Sequence, residues 1–228
     1  MISRSRGVAD GMSKGVQFLM KKNKIDVIMG FGKIVAKGKI EVSDKDGKNQ
    51  TVEAKHIIIA TGARSRELPT MKIDGKKIIG YREAMVLPEI PKSMVIVGSG
   101  AIGVEFAYFY NSMGTKVTIV EFLPRIVPVE DEDISKELEK SYKKNGITIM
   151  TSSEVTAVDT SGNGVKASVK SATGETVLEA DVLLSAVGVA ANIEGIGLET
   201  LGIKTEKGRV MVDKYGQTNV PGIYSIGD

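Results

Sequence analysis

The 228-residue chain has no cysteine, no tryptophan and a single histidine. Without cysteine it can form no disulfide, offers no thiolate nucleophile and provides no thiolate metal site. One histidine, His56, leaves no cluster for a histidine metal site or a catalytic triad. The apolar run Ile57-Ile58-Ile59 directly after it reads His56 as a strand-edge residue. Long hydrophobic runs are missing too: no stretch is apolar for long enough to span a bilayer. The N-terminus lacks the apolar centre of a signal peptide, so the expected location is cytoplasmic. An excess of one charge is also absent, with 31 Lys and Arg against 28 Asp and Glu, a net +3. Mixed signs at that balance give no stripe for nucleic acid or for an anionic membrane surface. Short basic patches such as Lys21-Lys22 and Lys143-Lys144 read as helix C-terminal charges. The hydrophobic content of 42% and charged content of 26% are those of a soluble globular protein long enough for one large domain or one and a half ordinary ones.

Glycine, by contrast, is plentiful at 26 residues, and three glycines stand in one pattern. Val95-Ile96-Val97 reads as a buried strand, Gly98-Ser99-Gly100-Ala101-Ile102-Gly103 as a GxGxxG turn, and a helix follows from Ala101. Gly98 suits the tight strand-to-helix turn, Gly100 allows a pyrophosphate to approach the backbone, and Gly103 lets the helix pack closely on the strand. Free N–H groups and the dipole at the helix start then face the phosphates. A second strand, Lys116 to Val120, delivers Glu121 eighteen residues past Gly103. That is where a dinucleotide fingerprint needs a carboxylate for the adenosine ribose. The glycine motif alone is weak; with the strand, the helix and the acid it points to a dinucleotide.

Along the chain, Val8, Met12, Val16 and Leu19 predict a helix over residues 1 to about 23. A short strand is expected over Ile25 to Met29, before the turn Gly30-Phe31-Gly32-Lys33. Lys39 to Ser43 and Gln50 to Ala54 flank the turn Asp44-Lys45-Asp46-Gly47-Lys48 as a hairpin. Lys55 to Ala60 reads as a buried strand ending in Thr61-Gly62. Residues 64–92, with Pro69, Pro88 and Pro91, read as a connector with a helical turn near Arg82 to Met85. A helix starting near Asp131 is expected to bury Ile134, Leu138 and Tyr142 and to end at Gly146, before a strand from Ile147 to Met150. Three alternating segments from Ser153 to Glu179 form an antiparallel meander in place of a helical crossover, and Asp181 to Val187 is the next buried strand. The expected fold class is α/β, a Rossmann-like three-layer NAD-binding domain with an antiparallel β-meander at 89–213. A partial FAD-binding domain is expected over 1–88 and 214–228.

The recurring strand-to-glycine endings, in this order, resemble the two-dinucleotide flavoprotein disulfide reductases, and within them the branch that oxidises dihydrolipoamide. The resemblance is carried by Ile58-Ile59-Ala60-Thr61-Gly62-Ala63, by Gly98 to Phe106, by Val120-Glu121-Phe122-Leu123-Pro124-Arg125 and by Ala186-Val187-Gly188. It closes with Thr218-Asn219-Val220-Pro221-Gly222-Ile223-Tyr224-Ser225-Ile226-Gly227-Asp228 and covers essentially the whole chain. It implies that Gly98, Ser99, Gly100, Ala101, Ile102, Gly103, Val104 and Glu105 hold the NAD pyrophosphate, with Glu105 near the nicotinamide ribose or carboxamide. Glu121 would accept both adenosine ribose hydroxyls and repel a 2′-phosphate, selecting NAD over NADP. Val155 would lie beside the adenine, and Gly188 would bring backbone close to the dinucleotide. Gly32, Thr61, Gly62, Ala63 and Asp228 match flavin-contact positions. After Gly188 the family often shows Arg-Arg-Pro where this chain has Val189-Ala190-Ala191-Asn192.

The resemblance also implies a first flavin motif, a CxxxxC redox disulfide and a C-terminal dimerisation domain that are not in this sequence. The chain is therefore expected to be an internal piece, with no catalytic residue or metal of its own. Its parent would oxidise dihydrolipoamide borne by a 2-oxo acid dehydrogenase complex, passing electrons through the disulfide to FAD and as hydride to NAD+. A parent NADH oxidase, a mercuric or nitrite reductase, or a stand-alone NAD-binding module are the other readings. The piece alone is expected to bind FAD poorly and to self-associate.

Overall fold

Apolar spacing settles most elements of the computed structural model, which describes residues 1–227. The chain divides into two units: Ser3–Arg64 with the segment from Ala190 onward, and Ser65–Val189. Helix α1 (Ile2–Lys22) carries Lys21 and Lys22 in its last turn and buries none of its residues. Its stripe of Val8, Met12, Val16 and Leu19 is 51% to 70% exposed. The strand expected over Ile25–Met29 is not formed. An extended segment becomes a strand only with a partner, and the pairing falls one step later, on β1 (Phe31–Ala36). β1 pairs antiparallel with β2 (Lys39–Ser43), placing Ile34 opposite Ile40, and β2 pairs with β3 (Asn49–Glu53). The β2–β3 turn is held by the Asp44 carboxylate, which accepts the N–H groups of Asp46 and Lys48. In β4 (Ile57–Ile59) the two outer isoleucines are buried but Ile58 is 61% exposed, so this apolar run is covered on one face only.

β5 (Ala63–Ser65) leads into the second unit. There the elements are β6 (Ile78–Ile79), α2 (Tyr81–Ala84), β7 (Ser93–Val97), α3 (Ala101–Ser112), β8 (Lys116–Val120), α4 (Glu132–Lys144) and β9 (Thr148–Met150). The meander β10 (Ser153–Asp159), β11 (Val165–Ser171) and β12 (Gly174–Ala180) follows, then β13 (Val182–Ser185). Five of these strands form a parallel sheet in the order β6-β13-β7-β8-β9. The two compact units meet in sequence at 64/65 and 189/190. The physical reason is β6: Ile78 and Ile79, both buried, pair with Leu183 and Leu184 of β13 and draw the connector into the second unit.

The parallel sheet is covered on both faces, as such sheets must be. Met94, Ile96, Val117, Ile119 and Leu184 pack against Val104, Ala107 and Tyr110 of α3 and Tyr142 of α4. On the other face Val95, Val97, Val120 and Leu183 meet Val155, Val165, Ala167 and Val169 of the meander. The fold is thus Rossmann-like, with helices, sheet and meander as three layers. One expectation for α4 is corrected: Ile134 is 59% exposed, and Ser135 is buried in its place. The helix is turned so that the Ser135 hydroxyl donates to the buried carbonyl of Ile126 at 2.7 Å, satisfying a group that otherwise lacks a partner.

The chain returns through β14 (Val189–Ala191), a 3₁₀ turn at Glu199–Leu201, β15 (Thr205–Glu206), β16 (Arg209–Val210) and β17 (Ile223–Ser225). β17 pairs in parallel with β4, and Ile34, Ile57, Ile59, Leu198 and Ile223 form part of the core of this unit. His56 is exposed, its ring 6.0 Å from that of Tyr224. No described helix is long and apolar enough to cross a membrane.

Strand order reverses at β7, with β8 on one side and β13 on the other, so the carboxyl end of β7 is a topological switch point. Backbone crowds there. Gly98 has φ +97°, and a Cβ on it would run into the Ala186 carbonyl. A Cβ on Gly103 would run into the carbonyl of Gly98, whereas one on Gly100 would meet nothing within 4 Å. Gly103→Ala should therefore cost about 3 kcal/mol, since backbone cannot move aside as a side chain can. Gly100→Ala, at the N-cap, should cost less than about 1 kcal/mol. Urea denaturation of the two variants checks the contrast; equal losses would refute the packing role of Gly103.

Candidate dinucleotide-binding site

Parallel pairing of β7 with β8 aligns Val97 with Val120, so Glu121 emerges beside the glycine turn. Its carboxylate is 7% exposed and accepts three hydrogen bonds. The Ser99 N–H donates to Oε2 at 2.8 Å and the Ser99 hydroxyl to the same oxygen at 2.6 Å. The Leu123 N–H donates to Oε1 at 2.8 Å. A carboxylate has about four lone-pair positions, so one is left, on Oε1. Ser99 is fully buried, and its carbonyl accepts the Val127 N–H at 2.9 Å, which ties the loop after Glu121 back onto the turn.

Helix α3 starts at the turn with Gly100 as its N-cap, and no side chain caps it. The N–H groups of a first helical turn have no acceptor within the helix. Here they lie next to the open space over Gly100. Uncapped donors, a glycine that leaves room and a carboxylate with a spare acceptor position are the groups that a pyrophosphate and a ribose require. The start of α3 is braced by α4, where the buried Tyr142 hydroxyl donates to the Val104 carbonyl at 2.8 Å. Burial, reinforced by the charge of Glu105 and by Tyr108, pushes the Tyr142 phenol above its ordinary value.

Residues 2–228 match the model of the family described as pyridine nucleotide-disulphide oxidoreductase. The chain belongs to that family. It is 48% identical over 243 residues to a dihydrolipoyl dehydrogenase of Rhizobium etli, matching 100% of this chain and 50% of that one. A leghemoglobin reductase of Glycine max is 40% identical, with 100% of this chain and 44% of that one matched. Among solved structures, LpdA from Mycobacterium tuberculosis aligns with a TM-score of 0.91 at 29% identity, over 100% of this chain and 50% of that one. The flavoprotein disulfide reductase RclA of Escherichia coli aligns in its C43S form with a TM-score of 0.89 at 28% identity, over 100% and 51%. The chain therefore spans about half the length of the relatives it matches.

The structure brings Gly98 to Gly103 and Glu121 together at the switch point. Other expected contacts lie elsewhere. Glu105 is exposed on α3, one turn beyond its start, and Gly188 is exposed just past β13 with φ +101°. Val155 is 5% exposed, within the core between sheet and meander. In the first unit, Gly32 is exposed on β1 opposite Val42, while Thr61, Gly62 and Ala63 follow β4. The carbonyls of Thr61 and Gly62 are taken by the side chain and the N–H of Asn192. Asp228 lies outside the described residues. Sequence spacing missed two partners of Glu121, the Ser99 hydroxyl and the Leu123 N–H. A serine between two glycines was the available signal for the first; nothing marks a backbone donor in advance.

Tyr142→Phe should lower stability by about 1 kcal/mol at neutral pH, the usual worth of one buried hydrogen bond. Because the folded phenol is held above its ordinary value, the contribution is complete below pH 10 and is lost as pH rises through the folded value. Denaturation curves of wild type and variant should therefore converge above pH 10; a gap that is constant up to pH 11 would contradict the assignment.

Proposed function

We propose that this chain is the NAD-binding portion of a dihydrolipoyl dehydrogenase. The observation that carries the reading is the Glu121 carboxylate, fixed by Ser99 and Leu123 against the glycine turn at the start of α3. Donors at the α3 N-terminus and the room over Gly100 receive the pyrophosphate. Glu121 accepts the hydroxyls of the adenosine ribose, and its spare position on Oε1 is open to them without any bond being broken. A 2′-phosphate would meet the same oxygen as a like charge, which favours NAD over NADP. Two relatives of known name, a dihydrolipoyl dehydrogenase and a leghemoglobin reductase, support the class.

In the whole protein the proposed reaction is oxidation of dihydrolipoamide carried by a 2-oxo acid dehydrogenase complex. FAD and NAD supply the electron and hydride chemistry when bound. This chain has no cysteine, so its residues contribute binding and orientation, and lipoamide turnover is assigned to the longer protein. Gly32, Thr61, Gly62 and Ala63 are the flavin contacts in this reading. By themselves they hold FAD weakly.

Calorimetric titration of the chain should show NADH binding at least tenfold tighter than NADPH. Glu121→Ala should erase that preference, about 1.4 kcal/mol or more of selectivity. Equal affinities in the wild type would refute the assignment. Self-association is a further part of the proposal. β4 pairs on one side with β17, whose other side is taken by Gly216 to Thr218, Ile58 is exposed on β4, and the apolar stripe of α1 is uncovered. Open strand edges and apolar faces of this kind recruit a second chain. Light scattering should give a mass that rises with concentration, and a constant monomer mass would count against it.

A further inference from the structure

We propose that Ser99 is a positioning residue that sets the nucleotide preference through Glu121, without itself touching the nucleotide. The inference rests on the dinucleotide reading above. Ser99 has no exposed surface, so a bound molecule cannot reach its side chain. All three of its polar groups are committed inside the protein. The N–H and the hydroxyl both end on Glu121 Oε2, and the carbonyl accepts from Val127.

Two donors on one oxygen fill its two lone pairs. Oε2 is therefore turned inward and saturated, and Oε1 is left as the oxygen that can meet a ligand. The Leu123 N–H takes one side of Oε1 and leaves the other. A charged group held by three donors also keeps its orientation when nothing is bound, so a ribose hydroxyl finds the acceptor already in place. The Gly-Ser-Gly backbone alone supplies only one of the two bonds to Oε2. Without the hydroxyl, Oε2 regains a free lone pair, and rotation of the carboxylate no longer breaks a side-chain hydrogen bond. Glu121 then spends less of its time presenting Oε1.

NADPH gains nothing from that oxygen, so the loss should fall on NADH alone. The test is a set of calorimetric titrations with NADH and with NADPH on the full chain. It compares the wild type, Ser99→Ala, Glu121→Ala and the double variant, with thermal midpoints alongside. From the usual net worth of one hydrogen bond, Ser99→Ala should weaken NADH binding roughly threefold to tenfold. NADPH binding should stay within about twofold, and Ser99→Ala should have no added effect in the Glu121→Ala background. Ser99→Gly lacks the same hydroxyl and should give the same shift, which covers the case in which the alanine variant does not fold. An equal loss for both nucleotides, or the same loss on top of Glu121→Ala, would overturn the proposal, because Ser99 would then be acting on the turn itself. If the wild type prefers NADH and neither serine variant changes that preference, this inference alone is wrong. A wild type that binds no NADH sinks the dinucleotide reading instead.

Discussion

A buried carboxylate must be satisfied or it opposes folding, and that constraint on Glu121 shapes the centre of the second unit. The acid stands at the end of β8, and both of the groups that satisfy Oε2 belong to Ser99, just past the end of β7. The two strand ends are therefore held together beyond the last ladder bonds. The Gly98 N–H still pairs with the Val120 carbonyl, and the next residue along each strand meets through the Ser99–Glu121 pair. The same serine receives Val127, so the long loop between β8 and α4 is pinned at its middle. Ser135 then bonds the neighbouring Ile126 and sets the rotation of α4. A local need for hydrogen bonds thus propagates from one side chain through a loop to a helix.

Glycine makes the arrangement possible by a different route. Gly98 and Gly103 are required because backbone occupies the place of a side chain, with Ala186 against the first and Gly98 itself against the second. Gly100 is under no such pressure from the protein, since the space over it is open. Two of the three motif glycines are thus explained by folding alone, whereas packing gives no reason for the third.

The parts of this design that were legible in the sequence are those with a local cause. The strand-turn-helix around Gly98 to Gly103, the acid at 121, the meander and the extent of α1 all follow from spacing and turn residues within a few positions. The parts that were not legible depend on distant partners. Ile25–Met29 is rich in the β-branched and apolar residues of a strand, but no other segment pairs with it among the described residues. The apolar side of α4 pointed to Ile134, yet the carbonyl of Ile126, nine residues earlier, drew Ser135 inward instead. Ile78 and Ile79 sit in a connector rich in turn residues, and only their pairing with β13, a hundred residues away, makes them a strand.

The uneven burial of the two units bears on where function resides. The second unit covers its sheet on both faces, so the strand ends that carry Gly98 and Glu121 are backed by two apolar layers. The first unit has a smaller core, and α1, the segment after it and Ile58 leave large apolar side chains in contact with water. Local opening is easiest where few apolar contacts resist it. The hydrogen-bonded group of Gly98, Ser99 and Glu121 thus sits in a unit whose sheet is packed on both faces. Its hydrogen bonds all close within Ser65–Val189.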